Sequence, residues 1–145
     1  GDEVVIDTSV VVKFFVEEED SDKADAVLER FLLGTLRLVA LDFLPIEFVN
    51  VLWVKTRQRE LTEKDAEEKI AKFVSLSSLM EIVPVQTIVQ ETFQACCTYA
   101  HPAYDAGFLV LAERRRIVLL TADKRFYRKV RSRSRAVVLL SDLRA

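Results

Sequence analysis

The sequence predicts an α/β protein: a doubly wound sheet of about five mostly parallel strands with helices on both faces. Three observations predict it. Short apolar runs at residues 3–6, 36–41, 81–85, 117–121 and 136–140 lack the apolar and polar alternation of a half-exposed strand, as a sheet covered on both faces requires. Between them lie stretches with helical spacing, and strands that alternate with helices or helix pairs make a parallel sheet. No Pro- or Gly-rich linker, internal repeat or low-complexity tract interrupts the chain, so residues 1–145 read as a single domain, large enough to bury roughly two-thirds of its unfolded surface.

Taken in order, the first strand is Val4-Val5-Ile6, closing on Asp7-Thr8-Ser9, and the apolar run 10–16 continues it straight into a helix. The acids at 17–20 break that run, and Ser21 or Asp22 opens a second helix ended by Gly34. Its apolar residues Ala24, Val27, Leu28, Phe31 and Leu32 repeat at three and four, one face towards the core. A second strand at 36–41 closes on Asp42, and Pro45 suits the first turn of a helix over 43–59. Thr62 and Asp65 form a capping-box-like pair for a helix running to residue 78. A third strand at 81–85, a helix over 87–100 broken by His101-Pro102, a helix over 103–115, a fourth strand at 117–121, a basic helix over 124–131 and a last strand at 136–140 complete the chain.

Composition narrows the class further. Half the residues are hydrophobic and 30% are charged, the mixture of a soluble globular protein rather than a disordered one. Cys96 and Cys97 are adjacent, too few for a zinc site and badly placed to pair with each other, so they read as small core or interface residues in a reducing compartment. No apolar run approaches the ~20 residues of a membrane span and no basic, apolar leader opens the chain, so the expected location is the cytoplasm. The net charge of −2 conceals an asymmetry: residues 1–100 carry ten Lys and Arg against nineteen Asp and Glu, whereas residues 101–145 carry eleven against four. An acidic part beside a basic one suits a site that gathers metal ions next to a surface that holds phosphates.

The informative acids are those with no cheap reason for their position. Asp7 ends a buried strand, at the carboxyl edge where open α/β sheets bind ligands; the alternative is that Asp7, Thr8 or Ser9 caps the next helix. Glu47 lies among apolar neighbours from Phe43 to Trp53. With Asn50, Val51 and Val54 it forms one helical stripe, read as facing a polar cleft in which Asn50 orients the acid; a solvent-facing Glu is the alternative. Asp105 opens an otherwise apolar helix, where the helix dipole alone also favours an acid. Asp123 follows the fourth strand as Asp7 follows the first, and capping the basic helix is its alternative. Four carboxylates brought to one end of a sheet require a counter-charge, and oxygen donors without Cys or His select a hard ion, Mg²⁺ or Mn²⁺.

Four stretches then resemble one family: Val5-Ile6-Asp7-Thr8-Ser9-Val10, Pro45-x-Glu47-x-x-Asn50-x-Leu52-Trp53, Tyr104-Asp105-Ala106, and Leu120-Thr121-Ala122-Asp123-Lys124-Arg125-Phe126. In order and spacing they are similar to a PIN-domain nuclease of the VapC toxin type. The resemblance implies a metal-dependent endoribonuclease acting on single-stranded RNA. It implies Asp7, Glu47, Asp105 and Asp123 as catalytic, metal-binding acids and Ser9, Asn50 and Thr121 as supporting polar residues. It further implies a homodimer and a small antitoxin protein as partners. The alternatives are a PIN-type RNA-processing nuclease with no antitoxin, or a non-catalytic acidic binding module. An aspartyl-phosphate enzyme fits poorly, because a second acid is wanted two residues after Asp7, where Ser9 stands.

The basic run begins directly after Asp123, so Lys124, Arg125, Arg128 and Lys129 are candidates to hold RNA phosphates, with Phe126 or Tyr127 available to stack a base. The competing reading is a solvated face. Arg114 to Arg116 are a weaker run of the same kind, with a helix C-terminal cap as the alternative. His101 is read as a surface loop residue, Asp42 as a cap for the Glu47 helix, Asp142 as a solvated tail residue, and Phe14, Phe15, Trp53 and Phe108 as core or dimer contacts.

Overall fold

The sheet of this computed structural model, which describes residues 2–144, is wholly parallel, with five strands in the order β3-β2-β1-β4-β5. Gly1 and Ala145, the ends of the expected single domain, lie outside the described residues. The strands are β1 (Asp2–Ile6), β2 (Leu36–Leu41), β3 (Glu81–Val83), β4 (Val118–Thr121) and β5 (Val137–Leu139). Leu38, Val39, Ala40 and Leu41 are all buried although successive side chains point to opposite faces, so both faces of β2 are covered. The chain runs outwards from β1 through β2 to β3, then returns to the other side of β1 for β4 and β5. That reversal puts the topological switch point at the carboxyl ends of β1 and β4, which pair through Ile6 and Leu120.

Among the described residues seven helices connect the strands: α1 (Thr8–Val12), α2 (Ser21–Leu32), α3 (Leu44–Arg57), α4 (Glu63–Ser77), α5 (Val89–Tyr99), α6 (Ala103–Arg115) and α7 (Lys124–Val130). The first helix is a short one, because after Val12 the backbone continues in single turns to Val16. Thr62 caps α4, its hydroxyl accepting from the Asp65 amide at 3.0 Å. A 3₁₀ turn over Val85–Ile88 precedes α5, where the sequence reads as a longer strand and then helix. Gly34 ends α2 with φ +80°. Gly107 lets α6 press on β2, since a Cβ there would meet Leu41 Cδ1 at 3.2 Å.

The core holds Ile6, Leu38, Leu41, Leu44, Phe48, Leu52, Phe108, Leu109, Leu119, Phe126 and Leu140 without exposed surface worth counting. Phe48 stacks on Phe73 with ring centroids 4.3 Å apart and meets Phe15 edge-on at 5.4 Å, tying α3 to α4 and to the chain after α1. Of the α2 stripe, Ala24, Val27 and Phe31 are buried, but Leu32 is 60% exposed, turned off the face that those three bury. Phe108 is buried, and Phe14 and Phe15 pack partly buried against the core, in line with the sequence; Trp53 is 53% exposed, with the Arg57 guanidinium 5.1 Å from its ring. Cys96 packs half-buried on the core, whereas Cys97 is exposed and so is not a core residue. Asp142 is exposed, as a solvated residue should be, although it closes a final 3₁₀ turn.

Candidate active site

Asp7 follows β1 at the switch point and is 2% exposed. Its backbone takes the N-cap position of α1, and its side chain makes no cap hydrogen bond within bonding geometry, although the Val10 amide at the third helical position still acts on the carboxylate. Thr8 and Ser9 do not cap. The Ser9 hydroxyl donates to Asp7 Oδ1 at 2.5 Å and accepts from the Ala122 amide at 2.9 Å, joining the loop after β1 to the loop after β4. The Thr8 hydroxyl donates to Glu47 Oε1 at 2.7 Å. Burial pushes the Asp7 carboxyl up to about 7; the Ser9 and Thr121 hydroxyls and the Val10 amide pull it back, and the Asp105 charge adds to the rise.

Glu47 sits in the first turn of α3, which Pro45 starts, and its carboxyl is also raised, by burial first, with the Thr8 hydroxyl opposing and Asp105 adding. It lines a cleft of about 410 Å³ together with Thr8, Ser9, Asn50 and Val51, so the polar-cleft reading of the α3 stripe holds for these residues. Val54 falls outside that lining and lies on the exposed side of α3. Asn50 shares the cleft, but among the described residues the hydrogen-bond partner of Glu47 is Thr8, not Asn50. Asp105 sits in the first turn of α6, whose amino end shares the carboxyl edge of the sheet because α6 leads back into β4. The Asp105 charge reaches both Asp7 and Glu47.

Asp123 is at the same edge and realises its capping alternative: Oδ1 accepts from the Phe126 amide at 3.0 Å, while its own amide donates to Thr121 Oγ1 at 3.1 Å. Among the described residues no three His, Cys, Asp or Glu side chains stand together in an arrangement ready to hold one metal ion. Each acid is instead engaged by a neutral donor or an imidazole.

The structure overturns four expectations. His101 is no surface loop residue: its side chain is 9% exposed, and Nε2 lies 2.6 Å from Asp105 Oδ2. Phe126 is fully buried beside the His101 ring and has no face to offer a base; Tyr127 is half-buried under Arg131. Asp42 does not cap α3; its Oδ1 accepts from the Val85 amide at 3.1 Å and so fastens the turn after β3. Arg115 forms a forked ion pair with Glu81 and approaches Glu3 at 3.7 Å, and Arg114 pairs with Glu91 at 3.2 Å, so these arginines pin α6 to the sheet and to α5. The Glu81 carboxyl is held below its ordinary range by that Arg115 bond. Only Arg116 takes a C-cap position, with φ +59°.

Sequence reading missed two cations. Lys13 and Lys55 line the cleft that holds Glu47, their side chains 12% and 15% exposed, and both reach Glu18, at 3.6 and 2.8 Å. The signal was present: Lys13 interrupts the apolar run 10–16 as Glu47 interrupts its own, and the rule applied to acids holds equally for bases. Of the basic run, Lys124 pairs with Glu19 at 3.0 Å and Lys129 turns to the Ala100 carbonyl at 2.7 Å, whereas Arg125 and Arg128 make no ion pair among the described residues and are both exposed.

A parallel sheet with a switch point at β1 and β4, and carboxylates gathered around it, defines a class: an α/β domain with an acidic site at the carboxyl edge of its sheet. The chain belongs to the PIN domain family, whose model matches residues 4–131. It is similar to Ribonuclease VapC3 of Pyrobaculum aerophilum, 26% identical over 126 residues that cover 87% of this chain and 93% of that one. Its fold is similar to PAE2754 from Pyrobaculum aerophilum, with a TM-score of 0.69 at 19% identity over 97% of this chain and 90% of that one. It is likewise similar to a chain of a toxin-antitoxin complex from Klebsiella pneumoniae, with a TM-score of 0.63 at 15% identity over 97% of this chain and 99% of that one.

Proposed function

We propose that this chain is a divalent-metal-dependent endoribonuclease of the VapC toxin kind, a single domain hydrolysing phosphodiester bonds of single-stranded RNA. One observation carries the reading. Asp7 is a buried carboxylate at the switch point, pushed up to about 7, and the charge that acts on it is another acid, Asp105. A buried acid with an acidic neighbour fits a bound cation, and the oxygen-only donor set fits Mg²⁺ or Mn²⁺. Asp7, Glu47, Asp105 and Asp123 are the residues that would hold it. Bound there, such an ion lowers the pKa of a coordinated water and stabilises charge developing on a phosphodiester. Membership of the PIN family and similarity to Ribonuclease VapC3 support the same activity.

The chain's own residues do the rest. Ser9 and Thr121 hold Asp7 in place through its oxygens and favour its ionised form. Thr8 fixes the rotamer of Glu47. Lys13 and Lys55 supply positive charge inside the cleft, where an RNA phosphate would compete with Glu18 for them. The test is an incubation of purified protein with defined single-stranded RNAs in Mg²⁺, in Mn²⁺ and in EDTA. Cleavage is expected only with metal; RNA left intact under all three conditions sinks the reading in favour of a non-catalytic acidic module.

Arg125 and Arg128 are the RNA-binding cations of α7 that remain open to solvent, Lys124 and Lys129 being engaged with the protein. Reversing both to Glu is expected to weaken RNA binding and to make the slope of log affinity against log salt shallower by about 1.4, two phosphates at about 0.7 each for a single strand. A slope unchanged in filter-binding titrations removes α7 from the substrate surface.

An antitoxin partner is supported by the likeness to a chain of a toxin-antitoxin complex, and by an apolar groove of about 420 Å³ between α3 and α4, with Val49, Trp53 and Ile70 in its lining. A homodimer belongs to the same reading, with Ile46 and Trp53 as exposed apolar side chains suited to an interface. A cytoplasmic location fits, in that no helix among the described residues is long and apolar enough to cross a membrane.

A further inference from the structure

One cation of α7 turns back onto the protein. Lys129 Nζ donates to the Ala100 carbonyl at 2.7 Å and stands 3.3 Å from Nδ1 of His101. The other ring nitrogen of His101, Nε2, is 2.6 Å from Asp105 Oδ2. The ring lies against Phe126, centroids 4.7 Å apart and planes tilted by 48°. The backbone around it is clamped: Ala100 closes α5 with φ +50°, the His101 amide donates to the Cys96 carbonyl at 3.2 Å, and Pro102 starts α6. His101 is therefore held in one place from both neighbouring helices and from α7.

The two contacts assign the ring proton. An ammonium has only protons to give, so Nδ1 is the acceptor and the proton of the neutral ring sits on Nε2, where it donates to Asp105. That bond occupies Oδ2 and leaves Oδ1 as the Asp105 oxygen free for another partner among the described residues. We propose that Lys129 and His101 are positioning residues for the metal site: Lys129 sets the tautomer of His101, and His101 orients the Asp105 carboxylate for the cation. The proposal rests on the reading of Asp105 as a metal-binding acid, and it moves Lys129 from the RNA surface to the support of the site. Partners that orient a metal-binding group in this way are worth about 10–100-fold in metal affinity.

Two measurements test it, one of which needs no metal. Long-range ¹H–¹⁵N spectra of the His101 ring are expected to show the Nε2-protonated tautomer in the unaltered protein and a shift towards the Nδ1-protonated one in Lys129→Met. The Nδ1-protonated tautomer in the unaltered protein overturns the proposal. Mn²⁺ titration in a calorimeter is expected to show affinity about 10–100-fold lower in His101→Phe, which keeps a ring against Phe126 but has no donor, and most of it regained in His101→Gln, whose amide can donate. Affinity of His101→Phe equal to that of the unaltered protein overturns the relay and leaves the metal reading standing. An unaltered protein that binds no Mn²⁺ overturns both, and the tautomer spectrum then reports whether the Lys129 contact itself exists. Should His101→Phe fail to fold, Lys129→Met gives the same readout with His101 in place: a fewfold loss of Mn²⁺ affinity is expected, and no loss overturns the proposal.

Discussion

Replacing Asp7 with Asn is expected to cut metal-dependent RNA cleavage on the order of a thousandfold while making the metal-free protein more stable at and above neutral pH. The loss of activity follows from the position of the side chain at the switch point: if the ion it helps to hold contributes several kcal/mol to the transition state, removing the charge lowers the rate on the order of a thousandfold. The gain in stability follows from the same burial. The Asp7 carboxyl goes from 3.8 to about 7, so in the metal-free protein the folded state binds a proton that the unfolded chain has already released. The sign is that of a raised acid: the stability contribution is complete below the unfolded value, near pH 4, and is lost as pH rises through about 7. A rise of that size, at about 1.4 kcal/mol for each tenfold change in proton affinity, sets an upper bound of about 4 kcal/mol on that loss. Asn carries no charge to bury, and its carbonyl still accepts from the Ser9 hydroxyl, so the variant escapes this pH dependence. Urea denaturation in EDTA on both sides of neutrality checks it. A variant less stable than the unaltered protein in mildly alkaline EDTA would falsify the account of Asp7 as a destabilised buried charge.

Phe48→Ala is expected to be the most damaging core substitution near the site. Phe48 has no exposed surface, stacks on Phe73 and meets Phe15 edge-on, so its removal opens a cavity between α3, α4 and the turn after α1. Losses of about 3–5 kcal/mol are typical of such truncations. In a domain of this length that corresponds to a fall in Tm of roughly 10–15 °C. Because Phe48 adjoins Glu47, the Thr8–Glu47 bond is expected to loosen with it, and residual activity at a permissive temperature should fall more than that of Phe73→Leu, whose ring lies on α4. A Tm within about 3 °C of the unaltered protein, less than a 1 kcal/mol loss would give, would show that the aromatic cluster does not anchor α3.

The same burial rule explains why the acids were legible and their partners were not. Asp7, Glu47 and Asp105 each interrupt apolar sequence, and a charge that interrupts a core segment is visible without coordinates. Thr8 and Ser9 looked like caps because local spacing favours that use of a hydroxyl; the structure sends one to Glu47, 39 residues away, and links the other to the Ala122 amide, 113 residues away. His101 next to Pro102 reads as loop, and nothing local announces that α7 brings Phe126 and Lys129 against it.

Asp123 shows the limit from the other side, since its cap on α7 is local and was readable, yet the acid also stands at the carboxyl edge of β4, next to β1. Both descriptions hold, because a strand-to-helix turn at a switch point needs a cap and exposes its acid together.

By itself the sequence determined the class of fold, the strand and helix order and the acids at the sheet edge, because hydrophobic periodicity and charge in apolar surroundings are properties of short windows. The tertiary structure alone decided the strand order 3-2-1-4-5, which hydroxyl holds which carboxylate, and that Lys13, Lys55, His101 and Lys129 support the cleft and its acids. Those outcomes depend on which segments meet after the chain has crossed the sheet, and a side chain's partner across such a crossing leaves no periodic trace in the sequence around it.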